Sequence, residues 1–322
     1  MADRSRTTRV AIACQGGGSH TAFTAGVLQG LFERKAADLE IVALSGTSGG
    51  AICALLAWDG LLRSNPKRAV DQLQRFWQES SASSLVDAFL NYSIQMAIRM
   101  RAIVASPEVS PYNYPTWGQL QLRHMLERRV EFAEARALAG RPGAPGLLVG
   151  AVDVLSGAFA VFRGPQISAD CILASAAVPE LFPAVALDDH YYWDGLFSQN
   201  PPLRELTDFR PDEIWVIQIN RTTCDRVPRT VDDISDRLNE LSGNLSLEQE
   251  LRFIRKINEL LRRGVLIDGG YRHIEVHRII MERDLDYASK FDRSESFIRG
   301  LMTSGRARAK KFLDERKRIA VS

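Results

Sequence analysis

The sequence predicts an α/β fold with a mainly parallel central sheet and a helical C-terminal portion. Three observations carry that prediction. Short β-branched runs alternate with helical patterns in the first sixty residues, each early strand run ends in glycines, and long charged helical spacing takes over after Val231. The 322 residues, 45% hydrophobic and 25% charged, are enough for one large domain or two modest ones.

"TRVAIAC" (Thr8–Cys14) reads as a buried strand entering the tight loop Gly16-Gly17-Gly18. Ala22–Arg34 is helical, with Phe23, Val27, Leu28, Leu31 and Phe32 on one face. "EIVALS" (Glu40–Ser45) is a second buried strand, and Ala51–Trp58 begins a second helix. This order argues for parallel βαβ topology. Pro66–Glu79 and Leu85–Val104 have helical patterns, and Ser106–Pro115 is a proline-punctuated loop ahead of a helix over Gln119–Arg129. Gly140–Gly146 forms a turn before strands at Leu147–Val154 and Ala158–Phe162. A helix over Ile167–Ala177 stops before Pro179, and strands return at Tyr191–Trp193, Glu213–Ile219 and His273–Ile280. Ile234, Leu238, Leu241 and Leu245, then Leu251, Ile254, Ile257 and Leu261, keep helical spacing.

Charge and cysteine usage exclude several classes. With 41 basic against 39 acidic residues, no global field recruits nucleic acid. Cys14, Cys53, Cys171 and Cys224 are scattered without short pairing, which suggests neither a disulfide framework nor a zinc site and fits a reducing cytoplasm. The N-terminus has no apolar stretch of the kind a secretory signal carries, and no run approaches the length of a membrane span.

Gly46-Thr47-Ser48-Gly49-Gly50 fits G-x-S-x-G between a strand and a helix. A strand feeding straight into a helix forces a strained turn, whose glycines avoid Cβ clashes while the serine hydroxyl projects outward. The helix then aims its N-terminal amides at the same place. A glycine-serine turn that only packs a helix onto a strand is the alternative. In a parallel sheet the Gly16–Gly18 loop opens at the same edge, where it can offer N–H donors to a developing oxyanion. It is not a dinucleotide fingerprint, because Thr21 stands where that motif needs glycine.

A nucleophilic serine needs a proton acceptor. His124, His190, His273 and His277 lie outside any glycine-marked loop and read as structural; His20 reads as a residue at a helix start. Asp194-Gly195, ending an aromatic strand and followed by Asn200-Pro201-Pro202, is either a hairpin turn or an acid leaning over a cleft.

In that order, the Gly16–Gly18 loop, Gly46–Gly50, "ASAAVPELFPAV" (Ala174–Val185) and Asp194-Gly195 before "NPP" resemble the patatin-like phospholipase family over about residues 8 to 203. The resemblance implies a three-layer α/β/α sandwich and a Ser–Asp dyad without metal or cofactor. Ser48 would be the nucleophile, Asp194 the base, and Gly16, Gly17, Gly18 and Gly49 the oxyanion hole. It implies lipid acyl esters as substrates, with a catalytically silent lipid- or partner-binding member as the alternative. His20, Thr21 and Leu196 depart from the family's usual residues. The expected organisation is a catalytic core over 8–205, with 206–322 completing the same domain. Leu85–Val104 is read as a core helix, with an interfacial lid as the alternative, and the basic tail from Arg306 to Arg318 as a solvated helix that could meet anionic lipid. Peripheral membrane contact is thus an expectation alongside a cytoplasmic location.

Overall fold

The computed structural model describes residues 7–34, 38–82, 84, 87–89, 91–92, 96, 110–113, 115–179, 181–266 and 270–321. The sheet has eight strands: β1 (Thr8–Cys14), β2 (Leu39–Thr47), β3 (Gly146–Asp153), β4 (Phe159–Arg163), β5 (Val185–Leu187), β6 (His190–Asp194), β7 (Glu213–Gln218) and β8 (Glu275–Ile280). Their order is β5-β6-β3-β2-β1-β7-β8, with β4 also paired to β3. Strands β3, β2, β1, β7 and β8 run parallel to their neighbours in that order, while β4, β5 and β6 add antiparallel pairs at one end.

The buried sequence of β1 explains its central place. Val10, Ile12 and Cys14 enter one apolar cluster and Ala11 and Ala13 the other, so alternate side chains face opposite layers. The first layer holds α1 (Ala22–Glu33), α2 (Gly49–Leu62), α3 (Pro66–Ser80) and α8 (Glu295–Val321). On the opposite face, Leu247, Leu251 and Ile254 of α7 (Val231–Arg262) pack with Leu203 and Leu206 over the small side chains of Ala11, Ala13 and Ala43. Between α3 and α7 lie α4 (Trp117–Glu127), α5 (Phe132–Ala139) and α6 (Ala169–Ser175). This is a mixed α/β fold with a mostly parallel sheet covered by helices on both faces.

The tail is built into the molecule. A Cβ on Gly26 would lie 2.1 Å from the carbonyl oxygen of Met302, and one on Gly305 2.2 Å from that of Phe23, so α1 and α8 meet backbone to backbone. Ala309, Phe312 and Leu313 are buried, Arg306 bonds Gln29 and Gln74, and Arg316 bonds Glu213. The expected solvated basic helix is therefore corrected: one face is apolar and two of its arginines are spent inside the chain. Helix α5 went unread in the sequence, and α7 is one continuous helix of 32 residues. Leu85–Val104 lies largely outside the described residues. No described helix is long and apolar enough to cross a membrane.

At the far end of α2, the fully buried Asp59 carboxylate accepts from Arg63 Nε (3.1 Å), Arg68 Nε (2.7 Å) and Gln72 Nε2 (3.0 Å). Three donors repay the desolvation that a lone buried carboxylate could not bear. The network ties α2 to α3.

Candidate active site

Strand β2 ends at Thr47 and α2 starts at Gly49, leaving Ser48 alone to turn the chain. It does so at φ 56°, ψ −131°, a conformation side-chain-bearing residues seldom adopt and one that costs on the order of 1–3 kcal/mol. The surroundings hold it there. The Ser48 amide donates to Ser175 Oγ (2.9 Å), whose own hydroxyl donates to the Gly150 carbonyl (2.6 Å), and Thr47 Oγ1 donates to the Gln199 carbonyl (2.6 Å). The Ser48 carbonyl accepts the first helical bonds from Ala51 and Ile52.

The Gly16–Gly18 loop leaves β1 directly against this turn. A Cβ on Gly16 would stand 2.5 Å from the Thr47 carbonyl oxygen and 2.9 Å from Ser48 Cβ, so only glycine permits the approach. Gly18 has φ 56° and its carbonyl accepts from Thr21 Oγ1 (2.6 Å). Gly49 faces the same threonine: a Cβ there would lie 2.2 Å from Thr21 Oγ1 and 3.0 Å from the Gly18 oxygen. Thr21, where the family pattern has glycine, thus pins the loop with its hydroxyl.

Asp194 ends β6, which joins β3 through the Ala151↔Asp194 pair. Its carboxylate accepts from the Leu196 amide (2.8 Å), the Asp194 amide donates to the Ala177 carbonyl (3.0 Å), and the Ser48 hydroxyl lies close enough to lower the carboxyl. Leu196 serves Asp194 through its backbone, so its side chain leaves that contact intact. Only 1% of Asp194 is exposed. Burial pushes its carboxyl up from 3.8 to about 6, against the lowering effects of the Ser48 hydroxyl, the Leu196 amide and the Lys290 charge.

The six residues chosen from sequence as nucleophile, acid and oxyanion hole, namely Ser48, Asp194, Gly16, Gly17, Gly18 and Gly49, come together here. One differs in availability. The Gly16 amide is spent on Asn200 Oδ1 (2.6 Å), whereas the Gly17 and Gly18 amides have no hydrogen-bond acceptor among the described residues.

A buried amide scaffold behind the loop had no signal in the sequence. Gln15 Oε1 accepts from Ile219 and Asn220 (both 2.9 Å), while its Nε2 donates to the Gly243 carbonyl and Asn244 Oδ1 (both 2.9 Å). Asn220 Nδ2 donates to the Gly16 carbonyl (3.3 Å), and Lys290 Nζ donates to Asn220 Oδ1 (2.8 Å) and Asn239 Oδ1. These partners lie more than 180 positions from the loop, and Gln and Asn mark no chemistry by themselves.

The histidines have other engagements. Burial drives His20 down to about 3, so its ring is neutral at physiological pH, and its Nε2 meets Ser289 Oγ (2.7 Å). His190 Nδ1 pairs with Asp153 Oδ2 (2.6 Å). His277 lies near Glu213 and Glu275, a trio whose ligand atoms could share a metal; Glu213 already accepts from Arg316 and Trp215.

A serine on a strand-to-helix turn at the carboxyl edge of a parallel sheet, with a glycine loop and a buried carboxylate beside it, marks the class as an α/β protein with a G-x-S-x-G elbow. The chain belongs to the patatin-like phospholipase family, whose model matches residues 12–207. Comparison with curated proteins gave no match. Among solved structures, VipD from Legionella pneumophila is 15% identical with a TM-score of 0.46, covering 96% of this chain and 67% of its own. A chain of the SpcU–ExoU complex from Pseudomonas aeruginosa is 16% identical (TM-score 0.34), covering 77% of this chain and 52% of its own. Human GIVD cytosolic phospholipase A2, solved with methyl γ-linolenyl fluorophosphonate, is 20% identical (TM-score 0.30), covering 49% and 23%. All three likenesses are distant, and this chain spans about two thirds, half and a quarter of those chains.

Proposed function

We propose that this protein is a serine acyl hydrolase acting on lipid esters, with Ser48 as nucleophile and Asp194 as base. The observation that carries this reading is a strained strand-to-helix turn that sets the Ser48 hydroxyl beside the buried Asp194 carboxylate, close enough to lower its carboxyl. As Ser48 Oγ attacks the ester carbonyl, its proton passes to Asp194. The carbonyl oxygen becomes an oxyanion and is held by the amides of Gly17, Gly18 and Gly49. Collapse expels the alcohol, which takes the proton back from Asp194, and leaves an acyl–Ser48 ester. Asp194 then draws a proton from water, the hydroxide attacks, and the acid leaves with Ser48 restored. A carboxylate lifted toward neutrality is a stronger base than an ordinary aspartate while still ionised at pH 7.

The chain after residue 205 is proposed to complete the same domain, since β7 and β8 extend the sheet and α8 packs on α1. Peripheral membrane contact is part of the proposal. Tyr112, Trp117, Leu120 and Leu181 are 62%, 75%, 49% and 39% exposed; Tyr112 accepts from Ala184 and Gln119 donates to Pro183, which gathers them near the strand that leads to Asp194. Flotation with liposomes, with and without anionic lipid, tests that contact.

The deciding experiment is labelling with a fluorophosphonate probe, followed by a panel of lipid and short-chain esters. Wild type is expected to label and to hydrolyse the lipid esters, and Ser48→Ala to lose both while keeping its melting temperature within a few degrees. A folded wild type that never labels would support the silent, binding-only alternative, and undiminished activity in Ser48→Ala would sink the assignment.

A further inference from the structure

The loop beside Ser48 is backed by a cation from the other end of the chain. Lys290 lies in the short turn Ala288–Phe291, which packs flush on the loop: a Cβ on Gly18 would be 2.4 Å from the Lys290 carbonyl oxygen. The neighbouring Ser289 hydroxyl donates to the Asp286 carbonyl (2.6 Å), so its oxygen is left to accept from His20 Nε2. His20 is thereby fixed as a neutral ring with its proton on Nε2, and the positive charge behind the loop belongs to Lys290.

Lys290 is half-buried, and its two side-chain hydrogen bonds go to neutral oxygens, Asn220 Oδ1 and Asn239 Oδ1. Asn220 passes the connection on to the Gly16 carbonyl, and Asn200 grips the Gly16 amide from the other side. A small hollow of about 20 Å³, lined by His20, Asn220, Asn239, Arg283, Tyr287 and Lys290, has room for a single water. Burying an ammonium on amide oxygens is costly, so its negative neighbours matter. They are Glu240 and Asp236 from α7, and Asp194 itself.

We infer that Lys290 is a positioning residue of the hydrolytic site, supplying the counter-charge to Asp194 and fixing the Gly16–Gly18 loop through Asn220 and its own carbonyl. The inference rests on the hydrolase reading above. Its consequence is that the segment after residue 207 completes the catalytic machinery as well as the sheet. The field acts both ways: Lys290 lowers the Asp194 carboxyl, and burial pulls the Lys290 ammonium down to about 8 against the raising charges of Glu240, Asp194 and Asp236. On Asp194 the other influences are its burial, the Ser48 hydroxyl and the Leu196 amide; on His20, the charges of Asp286, Arg283 and Lys290. Between about pH 6 and 8 the carboxylate and the ammonium are both charged.

The test is the pH dependence of fluorophosphonate labelling at Ser48 in wild type, Lys290→Met and Lys290→Arg, with melting temperatures alongside. Removing the cation raises the Asp194 carboxyl, so the acid limb of Lys290→Met moves upward by about one pH unit, and labelling at pH 6, taken as a fraction of each protein's own plateau, is roughly five-fold lower than in wild type. Lys290→Arg returns the limb to its wild-type position and abolishes any loss of rate above pH 8. A purely structural lysine would change plateau rate or stability without moving the limb. If Lys290→Met does not fold, Asn239→Asp sets a carboxylate on the ammonium and cancels its field with the lysine kept; the limb moves the same way. A folded Lys290→Met or Asn239→Asp protein whose acid limb coincides with that of wild type overturns the inference. If wild type itself never labels, the hydrolase reading falls and takes this one with it.

Discussion

Asp194→Asn is expected to abolish hydrolysis and yet make the protein more stable at neutral pH. The carboxyl rises from 3.8 in the unfolded chain to about 6 in the fold, principally through burial. Each pH unit of such a rise is worth about 1.4 kcal/mol, so keeping Asp194 ionised in the fold costs on the order of 3 kcal/mol above pH 6. The sign follows from proton counting. Between 3.8 and 6 the folded state holds a proton that the unfolded state has released, so stability falls as pH rises through that window and stays lowered above it. Asparagine keeps an oxygen for Ser48 and the Leu196 amide but carries no charge, which removes that cost. The attraction of Lys290 is already within that net rise, so the expected gain is about 3 kcal/mol, or roughly 4–6 °C in melting temperature for a chain of this size. Thermal or urea unfolding of both proteins at pH 7 and pH 4 is the assay. The variant should be the more stable at pH 7, with the difference nearly gone at pH 4. An Asp194→Asn protein equal to or less stable than wild type at pH 7, or a gain independent of pH, would refute the burial argument.

Two further substitutions separate the site from its scaffold. Gly49→Ala places a methyl 2.2 Å from Thr21 Oγ1 and displaces the hydroxyl that pins Gly18; labelling at Ser48 should fall about 100-fold with the fold retained, and adding Thr21→Gly should recover part of it. Asp59→Ala strands Arg63, Arg68 and Gln72 at a buried point. Arg68 is partly solvated, so urea unfolding should show a loss of about 2–3 kcal/mol, with labelling per folded molecule unchanged.

What the sequence made legible follows from where the physics is local. β1 is bounded at Thr8 and Cys14 both in the sequence reading and in the structure, because a continuous apolar run between a polar start and a triple glycine has one reading. Ser48 was readable for the same reason: strand, elbow and helix are contiguous. Asp194 was not. An Asp-Gly after an aromatic strand is a turn by default, and only the resemblance singled it out; its contact with Ser48 crosses almost 150 positions and depends on β6 pairing with β3. Helix α5 is short, with only Ala135 buried, so its periodicity has little to report. The tail was misread because the small residues that let α8 approach α1, Gly26 and Gly305, look like weak points in helices until their partner is known.

The amide scaffold explains why the family's recognisable motifs cannot stand alone in this chain. Gly16, Gly17 and Gly18 have no side chains with which to hold their own conformation, and Gly18 sits at a positive φ. Their geometry is therefore borrowed from Thr21, Asn200, Asn220 and the Lys290 turn, of which the last two lie outside residues 12–207. In the proposed mechanism the loop meets an oxyanion, and such a loop has to spend some amides on its own fixation and keep the others unspent; here Gly16 is fixed, and Gly17 and Gly18 are kept. The division is physical: a donor already bonded at 2.6 Å to Asn200 cannot swing to a transient oxyanion without giving up that bond, whereas an amide held in place by its neighbours stabilises developing charge with no reorganisation at the moment of reaction.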